Sequence, residues 1–157
     1  MAFNSKDPAV RAMMARAGQG TEPAKARAQA ECHGVPDTVT ITLPLPGKLL
    51  SPNARPHHMA LYRAKDSYRK MADRRATLAL NGARPLWTTA TIQATFYHAQ
   101  RRGRDRDNLN ASLKSAQDGL ADAGLLLNDK GVTNLPPIQL IDRDRPRVEL
   151  TITRSEP

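Results

Sequence analysis

Apolar and polar positions alternate in a strand-like way from Val39 to Leu43, where Val39, Ile41 and Leu43 lie on one side and Thr40 and Thr42 on the other. Pro44 ends that run. Leu45 to His58 contains Pro46, Gly47, Pro52 and Pro56, which neither a helix nor a central strand accommodates, so this stretch is expected to be an extended, partly exposed loop. Met59 to Leu80 predicts a helix. Leu61, Ala64, Tyr68, Met71 and Leu78 make its apolar stripe, Arg63, Lys65, Arg69, Lys70, Arg74 and Arg75 cover most of the rest, and Asn81-Gly82 stops it. Thr89 to His98 alternates again, with Ile92, Ala94 and Phe96 opposite Thr91, Gln93, Thr95 and Tyr97. Asp107 to Ala123 predicts one continuous helix whose stripe is Leu109, Leu113, Ala116, Leu120 and Ala123, closed by Gly124. Leu125 to Leu127 leads into a turn at Asn128, Asp129 and Gly131, and Ile138–Ile141 and Arg147–Thr153 predict the closing strands. There is no internal repeat. This order predicts an α+β fold, a small mixed sheet of about four strands with two main helices packed on one face.

Residues 1–37 carry no such pattern. Pro8 to Ala17 has the spacing for a short helix, but Gly18, Gly20, Pro23, Gly34 and Pro36 interrupt the chain beyond it, and a disordered extension is expected ahead of a folded domain at 38–157. The extension holds 5 basic and 4 acidic residues, the remainder 19 and 11, so the basic character belongs to the folded part.

Over all 157 residues, 24 lysines and arginines against 15 acidic residues give a formal charge of +9, which points to a polyanionic partner, nucleic acid first. No apolar run approaches the roughly 18 residues of a membrane helix, and no secretion signal is apparent, so a soluble, cytoplasmic protein without a membrane partner is expected. Cys32 is a lone cysteine, with no disulfide partner and no zinc-site companion. Aromatic residues make up 4% of the chain and are scattered, which disfavours a stacking platform for single strands and leaves recognition to charge.

The chemistry-bearing stretch is Arg101-Arg102-Gly103-Arg104-Asp105-Arg106-Asp107-Asn108-Leu109, which leaves a strand and enters a helix. Carboxylates inside the most basic loop of a polyanion-binding protein repel phosphate unless a cation neutralises them. Two aspartates at i and i+2, joined by a third such as Asp129, offer the hard oxygens that Mg²⁺ prefers. The competing assignment makes Asp107 a helix N-cap and pairs Asp105 with Arg102 or Arg106. An EF-hand is excluded, because Asn110 and Ala116 stand where that loop requires glycine and glutamate. Lys114 lies about two helical turns beyond Asp107, hence on nearly the same face, with Asp118 and Asp122 extending that face. His33, His57 and His58 lack zinc spacing, and His98 reads as a satisfied core histidine at a strand end.

The segments Arg-Asp-Arg-Asp-Asn-Leu (104 to 109), Leu-Lys (113 and 114), Asp-Gly-Leu (118 to 120), Ala-Gly (123 and 124) and Asn-Asp (128 and 129) resemble the RusA-type Holliday junction resolvases of bacteria and their phages. Ile41 to Pro46 resembles the opening strand and proline loop of that family, and Arg147 to Thr153 its closing strand, so the resemblance spans about residues 38 to 154. It implies a homodimeric, Mg²⁺-dependent endonuclease, with Mn²⁺ as a substitute, that resolves four-way junction DNA by paired symmetric nicks in the bacterial cytosol, phage-encoded copies included. Asp105, Asp107 and Asp129 match the metal-binding aspartates, and Lys114 the essential lysine, all four counted as catalytic. Arg104 and Asn108 match residues flanking the site. Arg101, Arg102, Arg104, Arg106 and Asn108, with Arg69 and Lys70 on the basic helix, are the expected DNA-binding residues. Three departures stand out: the aspartate pair is three residues farther from the lysine than in the shortest members, Asn128 replaces the first aspartate of the second pair, and Gln117 replaces the hydrophobic wedge. The alternative functions are a non-catalytic junction-binding or architectural protein of the same fold, and an RNA-binding or RNA-cleaving protein.

Overall fold

The computed structural model describes residues 34–156, so the extension expected at 1–37 lies outside the described residues as far as position 33. The elements in chain order are β1 (Thr38–Leu43), a 3₁₀ turn (Lys48–Leu50), α1 (His58–Ala79), β2 (Ala90–His98), α2 (Arg106–Ser112), α3 (Lys114–Asp122), β3 (Val132–Asn134), β4 (Ile138–Ile141) and β5 (Arg147–Arg154). The architecture is α+β, as the periodicity predicts, with one strand more than expected.

The sheet runs β1-β5-β2, and β3 and β4 share the far edge of β2. Its last strand in sequence lies at its middle. β5 is antiparallel to β1, from Thr38↔Thr153 to Leu43↔Val148, and to β2, from Ala90↔Arg154 to Tyr97↔Arg147. β3 and β4 are parallel to β2, which requires the crossover that α2 and α3 provide. Pro136 and Pro137 split this edge in two, because neither has an N–H to give to the ladder. β3 escapes a periodicity search: three residues are too short for an alternation to register.

Alternation puts one face of β1, β2 and β5 into the core. Val39, Ile41, Leu43, Ile92, Phe96, Val148, Leu150 and Ile152 are buried there and join Tyr68, Ala72 and Ala76 of α1 with Leu113, Ala116 and Leu120 of the α2–α3 region in one cluster. The opposite face is polar, with Thr38–Thr153 and Thr40–Thr151 hydroxyl pairs at 3.3 Å across β1 and β5.

Two helix expectations are corrected. The stripe of α1 continues from Tyr68 through Ala72, Ala76 and Leu80, while Leu78 is 73% exposed. The reason is the partner: α3 crosses α1 at Gly119, where an added Cβ would stand 2.3 Å from the Arg69 carbonyl oxygen and 2.9 Å from the Ala72 Cβ. Only a small residue fits at that crossing point. The predicted continuous helix from Asp107 to Ala123 is broken at Leu113, whose N–H bonds to the Asn110 carbonyl three residues back. The Ser112 hydroxyl donates to the Leu109 carbonyl at 2.6 Å, adding a second bond that competes with helix continuation. The apolar stripe survives the break because Leu113 is itself buried at the joint.

The Leu125–Leu127 run is held by a parallel bridge between Trp87 and Leu126, with the Trp87 N–H on the Leu125 carbonyl and the Leu127 N–H on the Trp87 carbonyl. Gly124, at φ +78°, turns the chain out of α3 into it. No helix among the described residues is long and apolar enough to cross a membrane.

Candidate nucleic-acid and acidic site

The β2–α2 connection carries the acidic and basic residues singled out in the sequence. The N-cap of α2 is Asp105 and not Asp107: the Asp105 carboxylate accepts the Asp107 N–H at 3.0 Å, and Asp107 stands exposed in the first turn. Arg101, Arg102 and Arg106 are exposed, and none of the four arginines of this loop forms an ion pair among the described residues, nor do Asp105 and Asp107. Opposite charges thus alternate along the loop without cancelling one another.

Lys114 is the first residue of α3, beyond the break at Leu113, so the continuous-helix reckoning that placed it over Asp107 no longer applies. Its Nζ lies 3.7 Å from Asp129 Oδ2, both side chains being largely exposed. The turn presenting Asp129 is shaped by Asn128, whose side-chain oxygen accepts the Lys130 N–H at 3.1 Å. Gln117 donates to Asn134 at 2.7 Å, tying α3 to β3 beside that turn.

The resemblance implies Mg²⁺, and carboxylate oxygens suit it chemically. Among the described residues, however, no group of three or more His, Cys, Asp or Glu side chains is gathered closely enough to hold a metal ion. Asp105 gives an oxygen to the helix cap and Asp129 faces Lys114, so Asp105, Asp107 and Asp129 do not stand as an assembled three-ligand centre.

The two α1 cations expected to bind DNA are engaged within the protein. Arg69 forms a two-pronged pair with Asp122 of α3 at 2.5 and 2.7 Å, and this holds the Asp122 carboxyl below its ordinary value. Lys70 pairs with Asp66 one turn earlier at 2.8 Å. Arg63, Lys65, Arg74 and Arg75 are exposed and carry no ion pair among the described residues. They are the uncommitted cations of that helix. His57, left without a role by the sequence, caps α1, its Nδ1 facing the Met59 N–H at 3.4 Å.

His98 departs from expectation. It ends the inward face of β2 and is 5% exposed, yet neither ring nitrogen has a hydrogen-bond partner among the described residues, and the same holds for the buried NH1 of Arg104. Burial, reinforced by the nearby Arg104 charge, pushes the imidazole pKa down and keeps it neutral. Beside it is a recess of about 420 Å³ lined by Leu45 to Lys48 and Ser51 of the proline-rich segment and by Phe96, His98, Arg104, Asp105, Asn108, Leu109 and Ser112. The Tyr68 hydroxyl anchors the start of that segment by donating to the Pro44 carbonyl at 2.9 Å. Sequence spacing could not have found this recess, because its walls are about fifty residues apart in the chain.

No protein-family model matches the chain. A protein of Xylella fastidiosa (strain Temecula1 / ATCC 700964), described as uncharacterized, is 36% identical over 139 residues, which cover 82% of this chain and 86% of that protein. The chain belongs to the same family as that protein.

Proposed function

We propose that the chain is a structure-selective endodeoxyribonuclease of the RusA type, acting on four-way junction DNA as a Mg²⁺-dependent homodimer in bacterial recombination and repair. The observation that carries this reading is the unspent charge of the β2–α2 loop. Among the described residues Arg101, Arg102, Arg104 and Arg106 form no ion pair and can meet backbone phosphates, while Asp105 and Asp107, likewise unpaired with any described cation, remain available to one from outside. A loop meant only for phosphate gains nothing from the carboxylates, and one meant only for stability would pair them.

Asp105, Asp107 and Asp129 would hold the ion, which when bound supplies a more acidic water and screens charge on the scissile phosphate. The chain's own contributions are positional. The arginines and Asn108 fix the strand against the loop, and Lys114, on a rigid helix start, offers an ammonium to the developing negative charge once it exchanges Asp129 for phosphate. Support for a dimer comes from the β4 edge, where Ile138, Leu140 and Ile141 are each 44–49% exposed on a strand that pairs only with β2 among the described residues.

A specific observation favours a second reading, a junction binder of the same fold that does not cut: the three carboxylates are not grouped, and Asp105 already serves as a cap. Incubating a mobile four-way junction and a linear duplex of the same sequence with wild type and Asp107→Asn, in Mg²⁺ or EDTA, separates the two. Nicks confined to the junction, dependent on Mg²⁺ and lost in Asp107→Asn while junction binding is retained, support the endonuclease. Junction binding without cleavage in Mg²⁺ or Mn²⁺ refutes it in favour of the binder.

A further inference from the structure

We propose that the recess between the proline-rich segment and the β2–α2 loop is a subsite for a single nucleotide, its phosphate held by Arg104 and His98 and its sugar and base laid against Leu45, Pro46 and Leu109. The nuclease reading supplies only the source of that nucleotide, one residue of the DNA strand next to the acidic loop. The recess itself stands on separate observations.

Among the described residues, three side-chain nitrogens of its lining residues lack partners. A folded chain rarely buries a donor or acceptor unpaired, since the group has given up water for nothing. Here three such atoms, both nitrogens of His98 and NH1 of Arg104, belong to two residues that line the recess, and His98 is more than nine-tenths buried. The surrounding groups do not meet the need: the Arg104 carbonyl takes Gln139, the Ser112 hydroxyl is turned to the Leu109 carbonyl, and Asp105 caps α2.

The chemistry of the lining selects the ligand. Arg104 and Lys48 bring two positive charges, Asp105 one negative, and a neutral His98 adds an N–H donor, so the site favours an anion that accepts hydrogen bonds. Phosphate does this. Leu45, Pro46 and Leu109 give the rest of the wall an apolar character that a bare phosphate would leave uncovered and a deoxyribose and base would cover. About 420 Å³ lies within the range of clefts that take small ligands, about 300–1,000 Å³.

The test titrates the full chain with dTMP, thymidine or inorganic phosphate while the imidazole ¹H–¹⁵N correlations of His98 are recorded, and repeats the dTMP titration with His98→Leu, His98→Gln and Arg104→Met. The expected result is a saturable shift of the His98 correlations by dTMP, with thymidine and inorganic phosphate each about tenfold weaker, and about tenfold weaker dTMP binding in Arg104→Met and His98→Leu. If His98→Leu fails to fold, the wild-type imidazole signals and His98→Gln decide. Two results overturn the proposal: dTMP leaves the His98 signals in place while moving only exposed arginines, or the His98 variants bind dTMP as wild type does. Junction cleavage in Mg²⁺ combined with either result sinks the subsite and spares the nuclease. A dTMP-dependent His98 shift in a protein that cuts no junction does the reverse.

Discussion

Gly119→Ala tests the packing argument most directly, because two opposing effects of known size meet at one position. Alanine is the better helix former, by about 1 kcal/mol at an interior helical site. Against this, the new Cβ would stand 2.3 Å from the Arg69 carbonyl oxygen, 2.9 Å from the Ala72 Cβ and 3.0 Å from the Asp73 nitrogen. Two of these neighbours are main-chain atoms of α1, so no side chain can swing aside. Relief requires α1 and α3 to separate by at least about 0.7 Å, loosening the seam where Ala72, Ala76, Ala116 and Leu120 are fully buried. Overpacking of this kind costs about 1–3 kcal/mol, and contact with rigid backbone places it at the upper end. The net expectation is a loss of about 2 kcal/mol, or about 8 °C in Tm for a folded unit of this size. Urea unfolding followed by far-UV circular dichroism measures it, with m unchanged and the midpoint lowered. Gly103→Ala is the control: its Cβ meets nothing within 4 Å, so its stability should stay within about 0.5 kcal/mol of wild type. A Gly119→Ala protein as stable as wild type, or more so, would show that helix propensity outweighs the close approach and would refute this account of the α1–α3 crossing.

Asp122→Asn removes one partner of the two-pronged pair with Arg69; since both side chains are well exposed, the loss at neutral pH should be below about 1 kcal/mol by chemical denaturation. Hydrogen bonding to Arg69 depresses the folded-state pKa of Asp122, so the pair's contribution is present above the unfolded value, about 3.9, and fades as pH falls through the lower folded value. The stability gap between wild type and Asp122→Asn should therefore shrink steadily as pH falls from about 4 towards the lower folded value, and a gap that widens over that range contradicts the pairing. Tyr68→Phe deletes the hydroxyl that donates to Pro44 and should cost about 0.5–1.5 kcal/mol while speeding amide exchange across residues 45–51; unchanged exchange would mean that other contacts hold the segment. Burial raises the Tyr68 phenol above its usual range, so in an alkaline absorbance titration its ionisation should appear only on unfolding. Replacing Arg101 and Arg102 by Gln should weaken junction and duplex binding alike and reduce the salt slope by about one to two, whereas loss confined to junctions would assign them to shape recognition.

Local elements were legible wherever one periodicity ran long enough to be counted. The alternations at 39–43, 90–98 and 148–152 and the helical stripe beginning at Leu61 and Ala64 each reflect a one-sided burial that the chain writes into its own order. The stripe passes Leu78 by because the buried residues between Tyr68 and Leu80 are Ala72 and Ala76, which carry little hydrophobic signal and suit the close approach of Gly119. The break at Leu113 was invisible for a related reason: a buried leucine satisfies a continuous helix and a two-helix joint equally well. At the acidic loop, residue types exposed a tension between carboxylates and a basic surround, but not which aspartate caps the helix. Asp105 holds that place because its side chain reaches the Asp107 N–H, a matter of where the first turn begins.

Local order and composition are enough to fix the α+β class, the strands that alternate, the basic folded part and the concentration of charge between β2 and α2. Packing in three dimensions is what places β5 between β1 and β2, engages Arg69 with Asp122, brings Lys114 to Asp129, and leaves the His98 ring nitrogens and Arg104 NH1 without a partner among the described residues beside the proline-rich segment. These facts share one physical cause. Each depends on the distance between groups remote in the chain, and that distance is set by how tightly α3 seats on α1 and by the sheet order, which local periodicity does not encode.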